Sequence, residues 1–274
     1  EDLYKEIKID TPILVHAASP PQKEVFVYQQ QVPDLKTPHY LIADIENNTM
    51  LATADPDTPV PIASITKLMT AVVAAERLDL DGRVRVTAPT FVTSLIPRLS
   101  GRGSVSMYSL LQLLLVESSN EAAETIAGEL GREEFIDAMN AKARQLGMLN
   151  TNFADPSGLS ADNISTLNDL YRLTQYIREQ RSFIFEITVK DKLETAYVSD
   201  EFAGLVNFNE VEDLDNFRGG KVGETRAAGQ TSISLHELNI QGTDRMVVVI
   251  LLGSNSRTED ILELLSFVEN RYGD

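Results

Sequence analysis

TPVPIASITKLMTAVVAAERL, residues 58–78, carries a lysine where a buried helix would be expected to have none. From Ile65 to Ala75 the only polar side chains are Thr66, Lys67 and Thr70. A helix that is apolar on all sides belongs at the centre of a protein. Ser64 stands where this helix is expected to begin, the ordinary position of an N-cap. Lys67 could run its stem out of the first turn to water. Against that, a cation near a helix N-terminus is disfavoured by the dipole, and burial favours the neutral amine. Both effects lower its pKa. Ser64 and Lys67, three residues apart, share a helix face. A neutral amine one turn from a hydroxyl is a general base beside a nucleophile. A single Ser-x-x-Lys occurs readily by chance, so alone the pair reads as a cap and a surface-seeking lysine.

The rest of the chain sets the frame. With 274 residues, 43% of them hydrophobic, it can bury a large core as one domain or as one domain with an insert. No run approaches the roughly 18 apolar residues of a membrane span; the longest, at 246–253 and 110–116, are core-sized. A net charge of −17 argues against nucleic acid, which rewards clustered Lys and Arg, and leaves no polybasic membrane patch. The absence of cysteine excludes disulfides and thiolate metal sites. The chain opens at Glu1 without a charged segment leading into an apolar one. A mature form is therefore expected, with any signal or membrane anchor outside this chain.

Residues 1–38, with Pro at 12, 20, 21, 33 and 38, are expected to form an irregular lead-in with one short strand at 24–30. Residues 40–45 and 50–55 flank ENNT and predict a hairpin. A short strand is expected at 83–87. From about 88 to 185 the pattern is mostly helical, at 106–118, 120–130, 132–147 and 167–180. In the third of these Phe135, Ala138, Met139 and Leu146 line one side, and Lys142 interrupts the stripe. Strand patterns return at 192–198, 217–222, 229–238 and 245–253, and an amphipathic helix at 258–272 closes the chain. The expected fold class is α/β (α+β): residues 39–274 form one domain whose sheet is assembled from both ends, with a helical subdomain inserted at about 88–185.

Several chemistries are excluded by motif. HELNI (236–240) fails the H-E-x-x-H zinc pattern at Ile240, and no G-x-S-x-G elbow exists. GGKVGET is no phosphate loop, because Asp215 stands where its first Gly should be and Val222 follows Lys221. Two further segments matter. Ser118, Ser119 and Asn120 sit between two helical patterns, where Ser and Asn commonly cap. Glycines 219, 220 and 223 surround Lys221 in a strand-like segment, as in a bulged or edge strand.

Taken in order, Ser64-Ile-Thr-Lys67, Ser118-Ser-Asn120 and Lys221-Val-Gly223 resemble the S-x-x-K, S-x-N and K-[ST]-G set of penicillin-binding proteins and class A β-lactamases. The chain is most similar to the D-alanyl-D-alanine carboxypeptidases, the low-molecular-mass penicillin-binding proteins, from about Tyr40 to Tyr272. PIASITKLMTA, SSNEAAETIA, LGMLNTNFADPSGL with STLNDL, and GGKVGETRAAG carry the likeness. The resemblance implies a five-stranded, mostly antiparallel sheet with helices on both faces and an active-site cleft beside a helical subdomain. It implies that Ser64 attacks the D-Ala-D-Ala carbonyl of a peptidoglycan pentapeptide and that Lys67 takes its proton. Ser118 would relay a proton to the leaving amine, Asn120 hold the substrate amide, and Lys221 attract its carboxylate and bond to Ser118. The N–H groups of Ser64 and Glu224 would form the oxyanion hole, beside Gly223. No metal or cofactor is implied; β-lactams would acylate Ser64, and the location would be extracytoplasmic.

The departures are Val222, which lacks the family's hydroxyl donor, and Ser119 in place of Gly. Thr225 and Arg226 could compensate for the lost donor, since Arg suits a carboxylate. Two rivals are a β-lactamase, which would need a Glu where Ile164 opens ISTLN, and a non-catalytic binder of cell-wall peptide or a partner protein.

Overall fold

The computed structural model describes residues 35, 37–86, 92–189 and 201–273. The expected strands at 24–30 and 192–198, and the last residue of that at 83–87, lie outside them. The described chain forms strands β1 (His39–Asp44), β2 (Thr49–Ala54) and β3 (Val60–Pro61), then a 3-10 turn (Ala63–Ile65) and helix α1 (Thr66–Arg77). Strands β4 (Arg83–Arg85) and β5 (Ser104–Ser106) lead into helices α2 (Met107–Leu115), α3 (Asn120–Leu130) and α4 (Arg132–Gln145). Next come β6 (Ile164–Ser165), α5 (Leu167–Gln180) and α6 (Phe183–Glu186). Strands β7 (Phe217–Thr225), β8 (Gly229–Ile240) and β9 (Thr243–Ser254) and helix α7 (Arg257–Tyr272) complete the fold.

The main sheet is five-stranded, in the order β2-β1-β9-β8-β7, and every pairing is antiparallel. The first and last strands of the described residues meet at its centre, where β1 pairs with β9 so that Leu41 faces Ile250. The run at 246–253 is apolar without alternation because both of its faces are covered. Val247, Val249 and Leu251 pack with Tyr40 and Ile42 against α7, through Ile261, Leu264, Leu265 and Val268. Those helix positions repeat at the spacing of one helical face. Val248, Ile250 and Leu252 face the other way, into the core shared with α1 to α5.

Helix α1 is that core's axis. Every residue from Thr66 to Ala74 is buried, and the helix packs on α2, α3, α4 and α6. The interruption of the α4 stripe also has a reason. Lys142 is buried, but its ammonium meets Glu76 at 2.6 Å and donates to Tyr176 Oη at 2.9 Å. The α4 face is thus completed by an ion pair to α1 rather than by an apolar side chain.

Ile250 is fully buried between β1 and β8. Ile250→Ala leaves a cavity at the sheet centre and is expected to cost about 2–5 kcal/mol, read as a lowered urea midpoint at unchanged slope.

Candidate active site

Ser64 is not the cap of α1. It lies within the 3-10 turn, and Ile65 occupies the N-cap position with no side-chain hydrogen bond. Ala63, just before it, has a positive φ of 49°, a conformation that costs a non-glycine residue about 1–3 kcal/mol. Two clamps hold the turn. A Cβ on Gly223 of β7 would fall 2.6 Å from Ser64 N, and one on Gly158 would fall 2.0 Å from the Ala63 carbonyl oxygen. Only glycine allows either approach.

Lys67 Nζ lies 2.9 Å from Ser64 Oγ, 2.8 Å from Asn120 Oδ1 and 2.5 Å from the Ser157 carbonyl oxygen, with no solvent exposure. Burial pushes its pKa down to about 7, with partial opposition from the negative charges of Asp155 and Glu124. A neutral amine has two N–H donors and one lone pair. Asn120 Oδ1 and Ser157 O can only accept, so they take the two donors and the lone pair is left facing the Ser64 hydroxyl.

The carbonyl of Ser157 is set by Asp155. One Asp155 oxygen accepts from Ser157 N, Ser157 Oγ and Gly158 N at 2.7, 2.8 and 2.6 Å; the other accepts from Ser160 N and Asn163 Nδ2 at 2.7 and 2.9 Å. Burial would raise the Asp155 pKa, but these hydrogen bonds outweigh it and the net shift is downward. D-P-S-G is a turn signature readable in the sequence; its docking under Lys67 is not.

Ser118, with φ of 55°, ends the α2 segment, and Ser119 caps α3 by accepting from Ala122 N at 3.1 Å. Lys221 Nζ donates to Ser118 Oγ at 2.8 Å and to the Val222 carbonyl at 2.7 Å. Burial lowers the Lys221 pKa well below its usual value, and the charges of Lys67 and Arg257 lower it further. Asn120 is held from both sides: its oxygen accepts from Lys67 and its Nδ2 donates to Thr93 O at 2.9 Å.

Strand β7 is an edge of the sheet. Gly220 N points away from β8 and donates to Thr188 Oγ1 at 2.9 Å. Antiparallel alternation turns the N–H groups of Val222 and Glu224 the same way. A cleft of about 610 Å³ runs along this edge; Ser64, Ser118, Asn120, Val222, Gly223, Glu224 and Thr225 all line it. Thr225 Oγ1 accepts from Ala228 N at 3.1 Å, within the hairpin turn. Arg226 is exposed in that turn and does not line the cleft.

The cleft also contains residues for which the sequence offered no local signal. Ser94 Oγ accepts from Asn120 N at 3.0 Å. Glu117 is bound at 2.6 Å by both Arg98 Nε and Arg98 Nη2. Arg257 donates to Gly223 O at 3.1 Å and pairs with Glu210. Among the described residues no cluster of metal-ligating side chains was found, and no helix is long and apolar enough to cross a membrane.

This sheet, with helices on both faces and a cleft at one edge, is the fold of the DD-peptidases and penicillin-binding proteins. It superposes on penicillin-binding protein D2 of Listeria monocytogenes in its ampicillin-bound form, with a TM-score of 0.76 and 27% identity over 87% of this chain and 99% of that one. A D-alanyl-D-alanine carboxypeptidase of Mycobacterium tuberculosis gives 0.73 and 27% over 89% and 95%. A family model described as D-alanyl-D-alanine carboxypeptidase matches residues 26–254, and the chain belongs to that family of serine DD-peptidases. Two similar sequences are D-alanyl-D-alanine endopeptidases. That of Pseudomonas aeruginosa is 31% identical over 97% of this chain and 86% of its own length. That of Escherichia coli is 32% identical over 86% and 78%.

With Lys67 titrating at about 7, the sign of the pH dependence follows. Below that pH the amine is charged and cannot take a proton; above it the lone pair is free. Acylation by penicillin is expected to rise about tenfold per pH unit on the acid side and level off above about 7. Labelling rates measured across this range check it, and a flat profile removes Lys67 as the titrating base.

Proposed function

We propose that this DD-peptidase cleaves D-alanyl bonds in peptidoglycan stem peptides through an acyl-enzyme on Ser64, and that β-lactams acylate the same hydroxyl. The observation that carries the proposal is the position of Lys67 Nζ, 2.9 Å from Ser64 Oγ and held there by two acceptor-only partners, Asn120 Oδ1 and Ser157 O. Lys67 takes the hydroxyl proton as Ser64 Oγ attacks the D-Ala carbonyl. The Ser64 and Glu224 N–H groups receive the developing oxyanion, a contribution often worth about 3 kcal/mol of barrier. Ser118, hydrogen-bonded to Lys221, passes a proton to the leaving amine. The second N–H of Asn120 Nδ2 serves the substrate amide. Water then releases the acyl group.

Burial disfavours Lys221 as a cation, and its amine is held by Ser118 Oγ and the Val222 carbonyl. No metal or organic cofactor takes part. Because peptidoglycan lies outside the cytoplasmic membrane, so does the site of action. The ampicillin-bound relative supports the β-lactam assignment.

Release of a terminal D-Ala is the activity that the family name describes. Cleavage within a cross-linked chain is the second reading, favoured by the endopeptidase relatives.

Fluorescent penicillin is expected to label the wild type covalently and to leave Ser64→Ala unlabelled; a labelled Ser64→Ala moves the nucleophile elsewhere. Nitrocefin is expected to turn over slowly, and fast turnover would mark a β-lactamase. Val222→Thr restores a hydroxyl donor in the cleft and is expected to raise D-Ala release from a diacyl-Lys-D-Ala-D-Ala peptide about tenfold, the worth of a hydrogen bond to a charged group. An unchanged or lower rate would show that position 222 does not grip the carboxylate.

A further inference from the structure

The one arginine lining the cleft among the described residues is already occupied. Arg257 opens α7 and is buried, with its side chain 8% exposed. Its Nε donates to Glu210 Oε2 at 3.2 Å and its Nη2 to Glu210 Oε1 at 2.7 Å, a two-point grip of one carboxylate by one guanidinium. Its Nη1 donates to Gly223 O at 3.1 Å, next to the residue whose N–H faces the cleft edge. Thr258 Oγ1 also donates to Glu210. Glu210 itself lines the cleft, and its side chain is 46% exposed. Burial would raise its pKa, but the bonds from Arg257 and Thr258 prevail and hold it below the usual carboxylate range, so it is charged at neutral pH. The electrostatic effect of Arg257 reaches Lys221. Arg257 is hydrogen-bonded to the backbone between Val222 and Glu224 and lines the same cleft as Ser64, so the pair lies where a carboxylate beside the scissile bond would look for a cation.

We infer that Glu210 fills the guanidinium fork that a substrate's terminal carboxylate would need, so that the cleft accepts D-alanyl bonds whose leaving residue has no free carboxylate. The inference rests on the DD-peptidase reading above and sharpens its leaving-group side. Val222 is an independent feature that acts in the same direction as the charge of Glu210. Val222 supplies no hydroxyl to that carboxylate, and a second carboxylate brought against Glu210 would be repelled. Glu210 is thus a specificity-determining residue that works by occupying a partner. A leaving group that ends in an amide, or continues into further chain, loses nothing here.

The test compares two peptides, diacyl-Lys-D-Ala-D-Ala and its C-terminal amide, on one enzyme sample that is also titrated with fluorescent penicillin. The wild type is expected to cleave both with kcat/KM values within about threefold. Glu210→Gln removes the competing charge and is expected to shift the ratio about tenfold towards the free acid, chiefly through KM, since a charge-assisted hydrogen bond is worth about that factor. A wild type that labels with penicillin yet prefers the acid tenfold or more overturns the inference and leaves the DD-peptidase reading intact. The same holds for a labelled Glu210→Gln with an unchanged ratio. If the variant is too unstable to label, the wild-type ratio alone decides. Cleavage of neither peptide, without labelling, overturns both readings.

Discussion

An amine with no access to water, held among three oxygens, is the constraint around which this molecule is organised. Removing Lys67 from solvent is unfavourable unless its hydrogen-bonding groups are met and its charge can be given up. The fold satisfies both conditions. Asn120 arrives from the N-terminus of α3, Ser157 from a turn tied by Asp155, and Ser64 from the 3-10 turn one step before α1. The same burial that makes the lysine costly lowers its pKa to about 7, so what would be a defect in a core helix becomes a base poised near neutrality. Backbone strain at Ala63 and Ser118 is borne by the packing around them.

The cleft's other charged groups follow a related rule. Glu117 is satisfied by Arg98, Glu210 by Arg257, and Lys221 by Ser118 and a carbonyl of its own strand. Of the charged groups lining the walls, only the exposed carboxylate of Glu224 has no charged partner among the described residues. Substrate groups must therefore compete with internal partners, and discrimination at this site depends on which partner a ligand can displace.

Much of the architecture could be read along the chain. The apolar run at 246–253 is the doubly covered strand β9, the ENNT hairpin joins β1 and β2, and the spacing of Ile261, Leu264, Leu265 and Val268 is the buried face of α7. These are local periodicities, and burial acts on them in register. Lys142 looked like a flaw in such a pattern, because its partners Glu76 and Tyr176 belong to other helices. Arg226, adjacent to the third motif, looked suited to a carboxylate, yet the hairpin turn carries it out to solvent, while Arg257, from a segment with no motif, lines the cleft.

By itself, the sequence determined what a single helical turn can determine: a serine and a lysine on one face, next to a run too apolar to lie at the surface. It also supplied, in order, the serine, asparagine, lysine and glycine that the resemblance assembled into a site. Only the tertiary structure decided where the lone pair points, how far the pKa falls and which carboxylate occupies Arg257. Those outcomes depend on groups 53, 90 and 47 residues away along the chain. Dielectric surroundings and hydrogen-bond geometry are set by whatever is near in space, and no periodicity along the backbone encodes that.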